Sequence, residues 1–409
     1  MHAGPQGKPD ARKRKSEMKI LMLHSHYSDI GGAEVMVNHQ IAKLRERGHE
    51  VFYFAFGEKG IDEKNLTVIQ EPQSRFLRYF HQFFIHPRGY AKLKEVIKTF
   101  NPDIVHLHNI DKHCLTFLLP ISHHKTFRTI YDFGIVCPCG WGVHKDDLKV
   151  CRQGIGLKCI KHGCIHPLLY PLYRYLFQMK HHIQKRRVHG YATATELLKK
   201  YMQQQGFKNI SVFPYFPPER ITVLTSSVPA KKILFLGLLE KHKGCESLIR
   251  AFCIAVGDIP DATLTIVGSG SEQAQLKHLT RSLNVDGKVR FVGNVPHREI
   301  KKYYLETSVV VVPSIGMENS PIVAYEALSF GKPVIATLRG GNPELIQNGY
   351  NGFLVEANDA KQIADALVKI LHDDNRDLYG MLAANAVESS RRYDIDKFVD
   401  HLEKAYSEL

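Results

Sequence analysis

Four consecutive valines, Val309–Val312, closed by Pro313 and followed some twenty positions later by the apolar run Pro333–Ala336, constrain this chain more than any other feature. A short apolar run bounded by proline reads as a buried strand. Between the two runs stands Gly316-Met317-Glu318-Asn319-Ser320-Pro321-Ile322-Val323-Ala324-Tyr325-Glu326-Ala327-Leu328. Ser320 is a good N-cap and Pro321 fits the first helical position, so a helix is expected to run to about Phe330 and stop at Gly331. Strand, loop, helix and strand make one unit of an open α/β sheet. Ligands of such sheets bind in loops at the carboxyl ends of strands. The helix N-terminus adds unpaired N–H groups and the positive end of a dipole, a natural place for phosphate. Glu318 in the loop and Glu326 two turns into the helix flank that place. Carboxylates accept hydrogen bonds from sugar hydroxyls, so one site could hold phosphate and sugar together.

The front of the chain repeats the unit. Lys19–His24 reads as a strand, Gly31-Gly32-Ala33-Glu34 opens a helix through about Arg47 with Gly48 as its stop, and Val51–Ala55 is the next strand. This is a Rossmann-like half with a glycine loop. Further strands are expected at Asn101–His108 and Thr129–Phe133, with His189–Thr195 closing the first sheet. Phe216-Pro217-Pro218 begins a crossover, and a second Rossmann-like domain starts near Lys231.

With these units in place the sequence resembles the retaining GT-B glycosyltransferases of family 4. Glu318 and Glu326 stand at that family's E-x7-E spacing. Lys232–Gly237, Lys243-Gly244, Leu264–Gly270, Val289–Gly293, Gly340–Glu344 and Asn351–Val355 follow its order. The resemblance implies two Rossmann-like domains facing across a cleft, with a C-terminal helix packing back on the first. The divisions expected are a disordered basic tail over 1–17, an acceptor-side domain over 18–222 with a Cys-rich insert at about 134–188, a nucleotide-sugar domain over 223–390, and a returning helix over 391–409.

The resemblance also assigns roles. Glu326 would take the ribose hydroxyls, Glu318 those of the donor sugar, and Lys243 the charge of the departing diphosphate. Asn319, Ser320, Pro321 and Ile322 lead into the helix end that faces the phosphates, and Gly31-Gly32 approach the diphosphate across the cleft. Gly237 and Gly268 belong to the same donor site, and Val292, Gly293 and Val295 would border the base. His108, Tyr131 and Asp132 would face the acceptor cleft near the transferred sugar. Two positions depart from the pattern: Tyr131 replaces a histidine, and Leu238 an arginine. A phenol is a poor proton acceptor near neutral pH, and leucine cannot grip phosphate. These departures keep a catalytically impaired scaffold as an alternative; a GT-B nucleotide-sugar epimerase or phosphorylase is another.

The expected donor is a UDP- or GDP-sugar, with no catalytic metal and no further cofactor. The lone D-x-D, Asp394-Ile395-Asp396, reads as acidity at a helix start. The net charge of +14 points to anionic partners: nucleotide-sugars, acidic glycans or lipid head groups. No nucleic-acid-binding motif accompanies it. Arg75–Phe84 and Tyr170–Phe177 mix aromatic and basic residues, as amphipathic helices at an anionic membrane do. A glycan or lipid-linked acceptor in cell-envelope polysaccharide or glycolipid synthesis follows from the resemblance. No signal peptide or run of roughly eighteen apolar residues is seen, so a cytoplasmic protein, peripheral on the inner membrane face, is expected. Cys137, Cys139, Cys151, Cys159 and Cys164 cluster near His144, His162 and His166 without paired C-x2-C knuckles. They read as packed thiols or as ligands of a structural metal.

Overall fold

A computed structural model describes residues 17–28, 31–151, 154–218 and 230–409. The expected basic tail, apart from Glu17, and the 222/223 boundary fall outside these residues.

The first sheet has eight strands: β1 (Lys19–His24), β2 (Glu50–Gly57), β3 (Ile61–Glu63), β4 (Leu66–Gln70), β5 (Ile104–His108), β6 (Lys125–Ile130), β7 (Gly190–Thr193) and β8 (Ile210–Val212). Their order is β3-β4-β2-β1-β5-β6-β7-β8, parallel except at β3–β4. The sheet therefore continues one strand beyond β7, where it was expected to close. The second sheet holds β9 (Lys232–Leu236), β10 (Thr263–Val267), β11 (Val289–Gly293), β12 (Val309–Val312), β13 (Val334–Thr337) and β14 (Gly352–Val355). All are parallel, in the order β11-β10-β9-β12-β13-β14. Helices cover both faces, which is why Val309, Val310, Val311 and Val312 are all buried. Each such valine contributes roughly 1.5–3 kcal/mol of burial.

Strand order reverses between β1 and β5 in one sheet and between β9 and β12 in the other. Crevices open at such switch points. The loop after β1 carries Gly31-Gly32, the loop after β9 carries Gly237, and the loop after β12 leads to Glu318.

The helix after β12 spans Ile322–Ser329, with Pro321 as its N-cap and no capping side chain. This corrects the expected start. Ser320 does not cap because its hydroxyl is paired with the Tyr325 hydroxyl at 2.8 Å. Gly331 ends the helix at φ 66°.

Helix Ile395–Ser407 returns to the first domain and packs on helix Gly32–Glu46. It buries Phe398, Val399, Leu402 and Tyr406. Arg47 reaches Asp396, Asp400 and Glu403 at 2.9, 2.6 and 3.2 Å, and His49 Nε2 lies 3.0 Å from Glu403. Tyr406 Oη meets His106 Nδ1 at 2.6 Å. Asp394 caps this helix by accepting from Asp396 N–H, so the D-x-D is a helix start.

Candidate active site

A cavity of about 430 Å³ lies between the two switch points. Gly31, Gly32, Glu34, Tyr131 and Asp132 line it from the first domain. Gly237, Leu238, Lys243, Gly268, Val295, Glu318, Ser320, Pro321, Ile322 and Glu326 line it from the second. Gly32 marks how close the two approach: a Cβ there would lie 2.8 Å from Ile322 Cδ1.

Glu318 is held from three sides. Lys243 Nζ lies 2.7 Å from Oε1, and Ser314 Oγ donates to the same oxygen at 2.6 Å. Burial by itself pushes this carboxyl up, but the Lys243 charge and the two hydrogen bonds hold it below its ordinary value. Glu318 is therefore a carboxylate at neutral pH. Its backbone is held too, because Gly341 N–H donates to the Glu318 carbonyl at 2.8 Å. Gly340 permits that approach: it sits at φ 58°, and a Cβ there would fall 1.8 Å from the Glu318 carbonyl oxygen.

Glu326 is buried and also fixed. Tyr304 Oη donates to Oε2 at 2.7 Å, and His297 Nε2 meets Oε1 at 2.6 Å. Each oxygen keeps a second lone pair for a ligand hydroxyl. Sequence reasoning named neither Tyr304 nor His297. They precede Glu326 by 22 and 29 positions, beyond any helical spacing, and only the fold of β11 and β12 brings them together. Ser314 and Glu34 were missed likewise; the signal available was that Ser314 lies i−4 to Glu318 and Glu34 follows the glycine pair.

Several expected site residues stand elsewhere. His108, expected at the cleft, is fully buried behind Tyr131, with its Nδ1 3.0 Å from the Tyr131 hydroxyl. The strand that carries it ends inside the core, beneath the loop after β6. Burial drives the imidazole well below its usual range, as it does for His24, to about 4, and His106, to about 3. Tyr131 does line the cavity, its hydroxyl also receiving Gln40 Nε2 at 3.2 Å, and burial raises its phenol. It presents a neutral hydrogen-bonding group. Asp132 lines the cavity and accepts Gly134 N–H at 2.7 Å.

Asn319 was expected among the donor contacts. That expectation concerned its backbone; its side chain is a tie between domains: Nδ2 donates to the Ile130 carbonyl at 3.0 Å and the Tyr215 hydroxyl at 3.2 Å, and Oδ1 accepts from Thr195 at 2.8 Å and Thr193 at 3.2 Å. Val292 packs against the core, and Gly293 accepts Gly268 N–H at 2.8 Å, so both stand behind the wall that Asn294 and Val295 present. The Cys-rich insert also reaches the donor loop. Met317 N–H donates to the Trp141 carbonyl at 2.8 Å, and the Trp141 ring stacks on His242 with centroids 4.9 Å apart.

Comparison with known proteins bears on the family and the fold. Residues 219–389 match the family described as glycosyl transferases group 1, and residues 30–216 match glycosyltransferase family 4. An uncharacterised glycosyltransferase of Haemophilus influenzae is 29% identical over 51% of this chain and 58% of its own length. A D-inositol 3-phosphate glycosyltransferase of Corynebacterium aurimucosum is 33% identical over 44% of this chain and 43% of its own. The chain thus spans about half the length of these curated relatives. An uncharacterised glycosyltransferase of Methanocaldococcus jannaschii is 25% identical over 96% of this chain and 99% of its own. Among solved structures, Anabaena HepE in complex with UDP-glucose superposes with a TM-score of 0.71 at 18% identity, covering 96% of this chain and all of the other. Sucrose-phosphate synthase from Thermosynechococcus elongatus gives 0.72 at 19%, covering 96% and 99%. At such identities the likeness establishes the shared GT-B fold.

Proposed function

From the premise that this chain belongs to the GT-B glycosyltransferases of the family 4 type, we propose that it moves a sugar from a UDP-sugar to a hydroxyl of a glycan or lipid-linked acceptor, with retention. The observation that carries this reading is the pair of fixed carboxylates on one cavity wall, Glu318 with Lys243 and Glu326 with Tyr304 and His297. In it Glu326 accepts from the ribose hydroxyls and Glu318 from the sugar. The amino end of helix Ile322–Ser329 and Lys243 stabilise the departing diphosphate, an electrostatic contribution often worth several kcal/mol. Lys243 is the single lysine or arginine among the described residues lining the cavity, since Leu238 occupies the place where the family resemblance expects arginine. The proposal gives Lys243 that whole task. Uridine is chosen because HepE, of the same fold, was solved with UDP and with UDP-glucose.

The acceptor is placed at an anionic membrane surface. Helix Arg75–Phe83 and its flank leave Phe76, Leu77, Phe80 and Phe84 exposed, Phe76 to 75%. The start of the insert's long helix, Tyr170–Arg187, and the turn before it leave Leu168, Leu172 and Tyr175 exposed. Among the described residues no helix is long and apolar enough to cross a membrane. Exposed aromatics with a net charge of +14 fit docking on the surface instead.

A thermal-shift panel with UDP, GDP, ADP and TDP, each with and without chelator, tests the donor assignment. UDP at about a hundred times its dissociation constant should add roughly 2.7 kcal/mol, indifferent to chelator. Silence from every nucleotide would overturn it.

A further inference from the structure

The donor site leaves the side chains of the insert unused. Among the described residues, one group of His, Cys, Asp and Glu side chains brings its ligand atoms within reach of a single ion. It is His144, Asp146, Asp147 and His162, whose imidazole nitrogens and carboxylate oxygens all lie within 4.8 Å of one another. Two pieces of the insert meet there. A hairpin closed by the Val143–Val150 bridge, with His144 N–H donating to the Lys149 carbonyl at 2.8 Å, carries the first three. His162 ends the short helix Lys158–Lys161. The two imidazoles lie face to face, with centroids 3.7 Å apart and planes 12° from parallel. Each turns Nδ1 to a carboxylate: His162 Nδ1 lies 2.9 and 3.0 Å from the two oxygens of Asp146, and His144 Nδ1 3.2 Å from Asp147 Oδ1. Two atoms that share a tetrahedral zinc ion through bonds of about 2.0–2.2 Å stand about 3.3 Å apart. The backbone aims the carboxylates as well, Asp146 Oδ1 accepting Asp147 N–H at 2.7 Å and Asp147 Oδ1 accepting Lys149 N–H at 3.1 Å. Outer bonds of this kind orient metal ligands. Three thiols of the insert are engaged otherwise: Cys139, Cys159 and Cys164 donate to the backbone carbonyls of Cys164, Gly154 and His162.

We propose that His144, Asp146, Asp147 and His162 bind one zinc ion. Imidazole nitrogens and carboxylate oxygens both suit zinc, and the two carboxylates balance its charge. In the bound state each ring carries its proton on Nε2 and gives the Nδ1 lone pair to the ion, and no electron changes hands. The imidazoles are mostly covered and held in place, whereas the Asp146 side chain is 52% exposed and has room to swing onto the ion. Four protein ligands fill a tetrahedral shell, so the ion pins hairpin to helix and is closed to substrate. What it braces is the donor wall. The pinned hairpin continues directly from Trp141 and Gly142. The Trp141 carbonyl receives Met317 N–H and its ring lies on His242, beside Glu318 and Lys243. A Cβ at Gly142 would sit 2.7 Å from Met317 Cγ, so the turn and the donor loop are in direct contact. The proposal stands whether or not the donor is a UDP-sugar.

The test uses the full chain, stripped with chelator and titrated with zinc. Calorimetry should find one site per chain, and the bound ion should raise Tm. Cobalt in place of zinc should give tetrahedral d–d bands without the intense charge-transfer band of thiolate ligands. His162→Ala and Asp146→Asn each remove a ligand, and each should weaken zinc binding by no less than the roughly 10–100-fold that losing an outer support costs. Cys139→Ser and Cys164→Ser should leave the affinity as it was. Should His162→Ala fail to fold, Asp146→Asn, made at an exposed side chain, still decides. A folded chain that takes up no zinc overturns the proposal. So does zinc whose affinity survives both ligand changes, which would make it adventitious, and so does a thiolate-to-cobalt band, which would move the ion onto the cysteines.

Discussion

Lys243 Nζ and Glu318 Oε1 stand 2.7 Å apart, so the cation meant for the diphosphate and the carboxylate meant for the sugar are already paired before any ligand arrives. The pairing prepositions both groups on one wall. It also means that changing one alters the other.

Lys243→Met should therefore lower kcat by about 10²–10³-fold, the scale seen when a preorganised charge-stabilising group is removed. It should also change the acid limb of stability. With the lysine present, the folded carboxyl of Glu318 lies below its unfolded value, so its contribution is full above the unfolded value and is lost as pH falls through the folded one. Without the lysine, burial raises the folded value and that acid-side loss shrinks. Tm measured between roughly pH 3 and 7 on both proteins checks this; parallel curves would refute the pairing argument.

Glu326→Ala should abolish the thermal shift given by UDP while leaving a folded protein. Its own stability should drop by about 1–3 kcal/mol, because the buried Tyr304 hydroxyl is left with only the long bond to the Val323 carbonyl at 3.4 Å. An undiminished UDP shift would remove Glu326 from the donor site.

Asn319→Ala tests the join between domains. Four hydrogen bonds from this amide cross to Ile130, Tyr215, Thr193 and Thr195. Their loss should cost about 1–3 kcal/mol and split urea unfolding into two steps, one per domain. A single transition at the original midpoint would show that the tie does not couple them.

Phe76→Ser combined with Phe80→Ser should reduce co-sedimentation with vesicles rich in anionic lipid, and added salt should weaken binding of the unsubstituted chain. The UDP shift should stay as it was. Binding that survives both changes would put the membrane contact elsewhere.

Much of this architecture was legible because its signals are local. The valine run and the glycines at 31, 32, 48 and 331 are read within a few positions, and the structure places strands and helix ends there. Glu318 and Glu326 were legible for the same reason. Partner choice was not. Ser320 has the chemistry of a cap, yet the Tyr325 hydroxyl five positions on takes its oxygen. His108 ends a strand, as a cleft residue would, yet the sheet turns it inward behind Tyr131. Asn319 sits between two donor-loop residues, yet its bonds reach residues 104 to 189 positions away. Such pairings depend on two domains meeting, which no spacing rule encodes.

The return of helix Ile395–Ser407 to the first domain has a consequence for how the protein is made. Residues from Lys19 to Val212 leave the ribosome first and can form their sheet early, since domains generally fold as they emerge. Yet Arg47 and Asp400 are 353 positions apart, and His106 waits 300 positions for Tyr406. Until then the apolar and charged face of helix Gly32–Glu46 is bare. The domain that is synthesised first is thus completed last, and the nascent chain carries an open docking surface throughout synthesis of the second sheet, a window in which a chaperone would be useful.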